Sequence, residues 1–297
     1  MRSRLPDAPG KKGSWRTARR RDGAIVPYRL EGEGRPLLLI PGLGQSSRLF
    51  GTLPRTLARL GFLAIAYDPP GFGKAAAESP PWTLEGAKDD LCAILEAERI
   101  PRADLLATSF GGKIALAFAG SKPDRAGSLY LYGSEASGSR RSRSIDRMLA
   151  LLFRRLEGRE LVEATAPLLL GSSFHARKPK VFTDLLRSPA PTEAERIQAI
   201  RQLEAVPALD APALLEEVSA EVFCHAGMED TLVSPADVRA TAEALPRGIF
   251  RAIEGAGHSM LLEAPGPCLE ALRRPSGDPS PRDAAPLNSR PTRRPSC

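Results

Sequence analysis

Ser109 lies in Asp104-Leu-Leu-Ala-Thr-Ser-Phe-Gly-Gly112, and two later loops, Gly227-Met-Glu-Asp-Thr231 and Gly255-Ala-Gly-His-Ser259, carry Asp230 and His258. A serine hydroxyl is a poor nucleophile near neutral pH. An imidazole within hydrogen-bond reach can take its proton, and a carboxylate can fix the imidazole tautomer and stabilise the cation that forms. The chemistry open to such a trio is acyl transfer: attack on an ester, thioester or lactone carbonyl, a covalent acyl-serine, and its release by water.

The local contexts decide how far each residue carries that reading. Ser109 follows an apolar strand pattern and precedes a helical one, so it falls on a strand–turn–helix junction, where a nucleophile is presented at the sheet edge. Such a turn needs small residues two positions either side; Gly111 meets the demand, and Ala107 departs from glycine by one methyl. The helix start places the Phe110 N–H where a developing oxyanion would need a donor. Alone, this segment reads equally as an ordinary strand-to-helix turn with serine as helix cap. A second donor is expected from the loop Ile40-Pro-Gly-Leu-Gly-Gln-Ser46, at Leu43 N–H, although a Pro-Gly turn ending a strand explains that loop as well.

Three histidines are available as base. His175 sits in Ser-Ser-Phe-His-Ala-Arg and reads as a surface residue; His225 ends a core strand, where a hydrogen-bonded structural histidine is the common outcome. His258, in a glycine-flanked loop that cannot pack a core, has no comparable structural role. For the acid, Asp230 competes with its neighbour Glu229 and with Glu135, which follows the strand Tyr130-Leu-Tyr132. In chain order Ser109, Asp230 and His258 follow the sequence expected when all three stand at strand ends of one parallel sheet.

The elements that must position these residues alternate along the chain. Short apolar runs at 36–40, 62–67, 103–107, 128–132, 220–225 and 248–253 read as strands. Helical patterns separate several of them, such as Thr83 to Glu98 with Leu84, Ala87, Leu91, Ile94 and Leu95 on one side. Strands separated by helices imply parallel pairs with right-handed crossovers. Asp22-Gly23 between two strand-like runs signals a type I′ hairpin, hence antiparallel strands at one edge. The alternation breaks between about 134 and 218, a helical stretch too long for an ordinary connection. It reads as an insertion over the strand ends, with Arg140, Arg141 and Arg143 in a solvated charged loop.

Composition bounds the rest. The formal charge of +7 resides in the tails: residues 1–12 carry +3 and residues 273–297 carry +4, so the body over 13–272 is neutral. A nucleic-acid-binding core is poorly supported. The Pro-, Ser- and Arg-rich segment 273–297 and the first dozen residues bury too little apolar surface to offset their ordering entropy and are expected to be disordered. No apolar run approaches the ~18 residues of a membrane span, and no apolar stretch of a secretory signal follows the basic N-terminus. Cys92, Cys224, Cys268 and Cys297 show no paired or metal-like spacing and read as reduced thiols, which suits the cytoplasm.

From about Trp15 to Leu272 the chain resembles the α/β-hydrolase superfamily, in particular its esterase, enol-lactonase and carbon–carbon-bond hydrolase members. The matching pieces are Leu39-Ile-Pro-Gly-Leu-Gly44, Tyr67-Asp-Pro-Pro-Gly-Phe-Gly-Lys74, the Ser109 turn, the Asp230 loop and Gly255-x-Gly-His258. The resemblance implies an α/β fold, a mostly parallel central sheet flanked by helices, with 134–218 as a helical cap shaping the pocket. It also implies a structural role for the Asp68–Gly73 turn, a small-molecule acyl substrate and no cofactor. Members usually carry His-Gly where this chain has Pro41-Gly42, a change outside the trio that bears on the oxyanion loop. A serine at the turn argues against the dehalogenase and epoxide-hydrolase branches, which use aspartate there. A non-catalytic ligand receptor on the same fold is the competing class, as is a body tethered to nucleic acid or anionic lipid through its basic tails.

Overall fold

A computed structural model describes residues 14–75, 79–136, 138–209 and 215–273. Its strands are β1 (Trp15–Arg19), β2 (Ile25–Glu31), β3 (Arg35–Ile40), β4 (Phe62–Tyr67), β5 (Ala103–Thr108), β6 (Ala126–Tyr132), β7 (Val222–Gly227) and β8 (Gly248–Ile253). They form one sheet in the order β1-β2-β4-β3-β5-β6-β7-β8. β1 and β2 pair antiparallel at one edge, β2 runs antiparallel to β4, and every further pairing is parallel. The α/β class and the antiparallel edge expected from the sequence are both present.

The strands sort by composition. β3 and β5 carry apolar residues on both faces, Leu37 to Ile40 and Leu105 to Ala107, because as central parallel strands both of their faces are covered; Asp104 near the start of β5 is paired with Arg35 at 2.8 Å. Leu38, Ile40, Leu105 and Ala107 join one core cluster, while Leu37, Leu39 and Leu106 join the other, as the two-residue period of a strand requires. The helix α1 (Leu53–Arg59) connects β3 to β4. The helix α2 (Leu84–Ala97) starts at Thr83, whose Oγ1 accepts the Gly86 N–H at 3.0 Å, and buries Ala87, Leu91, Ile94 and Leu95. The hairpin departs from expectation. Gly23 has φ +90° and Asp22 stays at negative φ, which rules out the type I′ turn. Arg20 C=O accepts the Gly23 N–H and Arg20 N–H donates to Ala24 C=O, so the loop spans three residues rather than two.

All six strands from β3 onward point the same way, so the loops that follow β3, β5, β6, β7 and β8 emerge at one edge of the sheet. The chain leaves β3 toward β4 on one side and returns through β5 on the other. That reversal of winding opens a crevice between the loop after β3 and the turn after β5. Between β6 and β7 the chain forms α4 (Arg140–Arg155), α5 (Gly158–Thr165), α6 (Ser172–Arg177), α7 (Pro179–Leu186) and α8 (Glu193–Leu209). There is no strand among the described residues of this stretch. Arg140, Arg141 and Arg143 begin α4 rather than lying in a loop, and Arg141 Nη1 donates to Leu232 C=O at 3.3 Å. The expected tails at 1–12 and 273–297 lie outside the described residues, except for Arg273, which ends a short 3-10 turn from Ala271. No helix among the described residues is long and apolar enough to cross a membrane.

Leu106, fully buried at the centre of the sheet, sets a stability test. Leu106→Ala should cost about 2–5 kcal/mol through lost burial and the cavity left behind. Leu151→Ala, on the exposed side of α4 at 58% exposure, should stay within about 0.5 kcal/mol. Urea unfolding of the two variants beside the parent chain measures the difference.

Candidate active site

Ser109 is one of two non-glycine residues at positive φ among the described residues, with φ +50° and ψ −124°. An L-residue there stores backbone strain on the order of 1–3 kcal/mol. The surroundings hold it in place. α3 (Phe110–Ser121) begins at the next residue, the Ser109 N–H donates to Tyr132 C=O at 2.8 Å, and Ser134 Oγ donates to Ser109 C=O at 2.8 Å. A Cβ on Gly111 would stand 2.5 Å from the Pro41 carbonyl oxygen and 2.6 Å from that of Ile40, so only glycine lets α3 fold back this closely on β3.

Asp230 and His258 meet across the loops after β7 and β8. His258 Nδ1 lies 2.8 Å from Asp230 Oδ2. A carboxylate only accepts, so Nδ1 carries the proton and Nε2 keeps its lone pair. Asp230 Oδ1 accepts the N–H groups of Leu232 at 2.8 Å and Val233 at 3.0 Å, which fixes the carboxylate plane. Burial alone would lower the His258 pKa. Attraction to Asp230, and more weakly to Glu263, outweighs it and holds the imidazole above its ordinary value. Gly133, at φ +58°, links this pair to Ser109: a Cβ there would stand 3.1 Å from His258 Nδ1 and 3.2 Å from Asp230 Oδ2, and Gly133 follows the residue that accepts the Ser109 N–H.

A cleft of about 50 Å³ opens beside Ser109, with Leu43 and Phe110 in its wall. Neither the Leu43 nor the Phe110 N–H is taken up by an acceptor among the described residues. The next N–H along, at Gly44, donates to Gln202 Oε1 of α8 at 2.8 Å, tying the loop after β3 to the inserted helices. Ile145, Leu149, Leu203 and Val206 cover the cleft from α4 and α8.

The other residues singled out in the sequence fall elsewhere. His225 is buried, stacks on Tyr132 at 4.4 Å between ring centres and has its pKa pushed down to about 4 by burial, so it stays neutral within the core. His175 is exposed in α6 beside Phe182. Glu229 Oε2 accepts the Ser172 hydroxyl at 3.0 Å and the Ser173 N–H at 2.8 Å, at the start of α6 and away from the imidazole. Glu135 Oε1 accepts the Ser142 hydroxyl and lies 3.9 Å from Lys113 Nζ; it is not the carboxylate His258 meets. Asp68 accepts N–H groups from Ser47 at 2.9 Å and Lys74 at 2.8 Å, a structural role as expected.

Two contacts that hold the loops of this edge escape sequence reasoning. Glu263 Oε2 accepts the Gly257 and Gly171 N–H groups, both at 2.9 Å, and so anchors the His258 loop to the segment before α6. Gln202 does the same for the loop after β3. Both lie on helical patterns where a polar residue reads as solvated, and no spacing distinguishes them.

A profile of the alpha/beta hydrolase fold matches residues 35–265. A relative from Variovorax paradoxus named "Putative carbamate hydrolase RutD" is 31% identical over 209 residues, covering 68% of this chain and 76% of its own. A solved esterase from Thermogutta terrifontis is 25% identical with a TM-score of 0.73, covering 88% of this chain and 97% of its own. An enol-lactonase from Burkholderia xenovorans, 22% identical with a TM-score of 0.73 over 87% of this chain and 96% of its own, shares the fold. With the strand order, the reversal at Ser109 and the profile match over most of its length, this chain belongs to the α/β-hydrolase family.

Proposed function

We propose that the protein is a serine hydrolase that opens a carboxylic ester, thioester or lactone through an acyl-enzyme on Ser109. The observation that carries this reading is the 2.8 Å contact between Asp230 and the His258 Nδ1, which leaves Nε2 unprotonated at the edge where Ser109 is held in a strained turn. His258 takes the Ser109 proton as Oγ adds to the carbonyl. The oxyanion is received by the Leu43 and Phe110 N–H groups, which point no hydrogen bond elsewhere. The tetrahedral species collapses as His258 returns the proton to the leaving group. Water then adds to the acyl-serine by the same proton path and frees the acid. The helices from α4 to α8 act as a cap, and their apolar residues shape the seat of a small-molecule substrate.

A carbamate is a second reading, favoured by the name of the relative at 31% identity. For a carbamate ester the carbonyl accepts the same attack, the alcohol leaves with the proton returned by His258, and the intermediate that water then releases would be a carbamoyl-serine rather than an acyl-serine.

Treatment with a fluorophosphonate followed by intact-mass measurement should give one adduct on the parent chain and none on Ser109→Ala. A folded parent chain that takes no adduct would count against the assembled site and favour a ligand-binding member of the family. On a substrate that is turned over, Ser109→Ala and His258→Ala should each lower kcat by about 10⁶-fold.

The pH dependence follows from the raised His258 pKa. The base works only when neutral, so kcat/KM should rise with pH and inflect above about 6.5, the ordinary histidine value. Asp230→Asn removes the charge that raises it. Its inflection should fall below that of the parent chain while kcat drops about 10⁴-fold.

A further inference from the structure

Beside Ser109 the cleft wall changes character. Lys113 of α3, Glu135 after β6, and Ser142 and Asp146 of α4 form a polar cluster there, opposite the apolar side chains of α8. Glu135 is only 4% exposed, yet its two oxygens are treated differently. Oε1 accepts the Ser142 hydroxyl and faces Lys113 Nζ at 3.9 Å. Oε2 is buried with no hydrogen-bond partner among the described residues. Glu135 lines the cleft, and a buried carboxylate oxygen without a donor costs on the order of 1–3 kcal/mol or more, so a donor that reaches Oε2 from the cleft would be held there. The Asp230–His258 pair does not use it.

The charge balance narrows the ligand. Glu135 and Asp146 set two carboxylates against the single ammonium of Lys113, so an acidic group would meet net repulsion. Burial pushes the Glu135 pKa up to about 7, against the opposing pull of Ser142 and Lys113 and with Asp237 and Asp146 adding to the rise. A bound hydroxyl or amine would favour the carboxylate form, since each donates to it.

We infer that Glu135 selects substrates: the part of the substrate seated in this cleft carries a hydroxyl or amino hydrogen-bond donor, received by Glu135 Oε2. This rests on Ser109 as the nucleophile and adds a requirement that esters in general do not meet.

Two matched pairs of esters test it, one for each side of the scissile bond. p-Nitrophenyl 3-hydroxybutanoate against p-nitrophenyl butanoate places the donor on the acyl chain, and 2-hydroxyethyl butanoate against propyl butanoate places it on the alcohol. Each kcat/KM is divided by the rate of hydroxide-catalysed hydrolysis of the same ester. The expected result is a preference on the order of tenfold for the donor-bearing ester in at least one pair, falling to about threefold or less in Glu135→Leu. If Glu135→Leu does not fold, Glu135→Gln carries the test: it lacks the charge, and the same preference should fall at least about threefold. Equal rates within both pairs, or a preference that survives at Glu135, would overturn the inference while fluorophosphonate labelling of Ser109 leaves the serine-hydrolase reading intact. Labelling without hydrolysis of any of the four esters would also overturn it. Absence of both labelling and hydrolysis would overturn the serine-hydrolase reading, and the selection argument with it.

Discussion

The reversal of the chain at Ser109 is the constraint around which the site is arranged. β5 lies at the centre of the sheet, and α3 must pack back on β3 and β5 at once, leaving one residue to make the turn. The backbone reaches this geometry at φ +50° because Tyr132, Ser134 and the carbonyls beside Gly111 over-determine it. The strain is balanced by burial of an almost wholly apolar helix, and its consequence is a hydroxyl lifted above the sheet edge beside a free helix-start N–H.

Around that turn the loops of the edge are tied to one another rather than left to pack by themselves. Glu263 holds the His258 loop and the segment before α6 through two backbone N–H groups, and Gln202 reaches from α8 to Gly44. Gln198 accepts the Trp82 N–H, and Glu195 accepts that of Gly73, so one face of α8 meets the loops that follow β3 and β4. The inserted helices are therefore coupled to the loop after β3 by hydrogen bonds to its backbone, and a shift of α8 would be felt at Leu43.

Burial assigns different tasks to chemically similar groups. One histidine lies within β7 and the other in the loop after β8; burial, with the Arg251 cation adding to it, holds His225 neutral against the Leu131 carbonyl and the Tyr132 ring, while His258 has a carboxylate and is held toward the cation. Three carboxylates, Asp230, Glu229 and Glu135, compete for the imidazole in the sequence, and only Asp230 is delivered to it. Glu135 is drawn instead toward α3 and α4, where its raised pKa and half-satisfied oxygens belong to the cleft wall.

What the sequence determined by itself is the part written in local pattern. Short apolar runs alternating with helical patterns read as parallel strands covered on both faces, so the sheet and the approximate ends of its strands were legible, and with them the common edge shared by Ser109, Asp230 and His258. Glycine at 111 marked a close approach of helix and strand in the sequence alone. The hairpin turn was misread because Asp-Gly serves both two- and three-residue loops, which differ in the φ of Asp22. The arginines at the start of α4 were misread because their helix draws its apolar face from the fold and not from those residues. Which carboxylate meets His258, what Glu263 and Gln202 hold, and which oxygen of Glu135 stays unpaired depend on contacts between residues tens of positions apart. Such contacts leave no periodicity, and only the packing of the inserted helices on the sheet decides them.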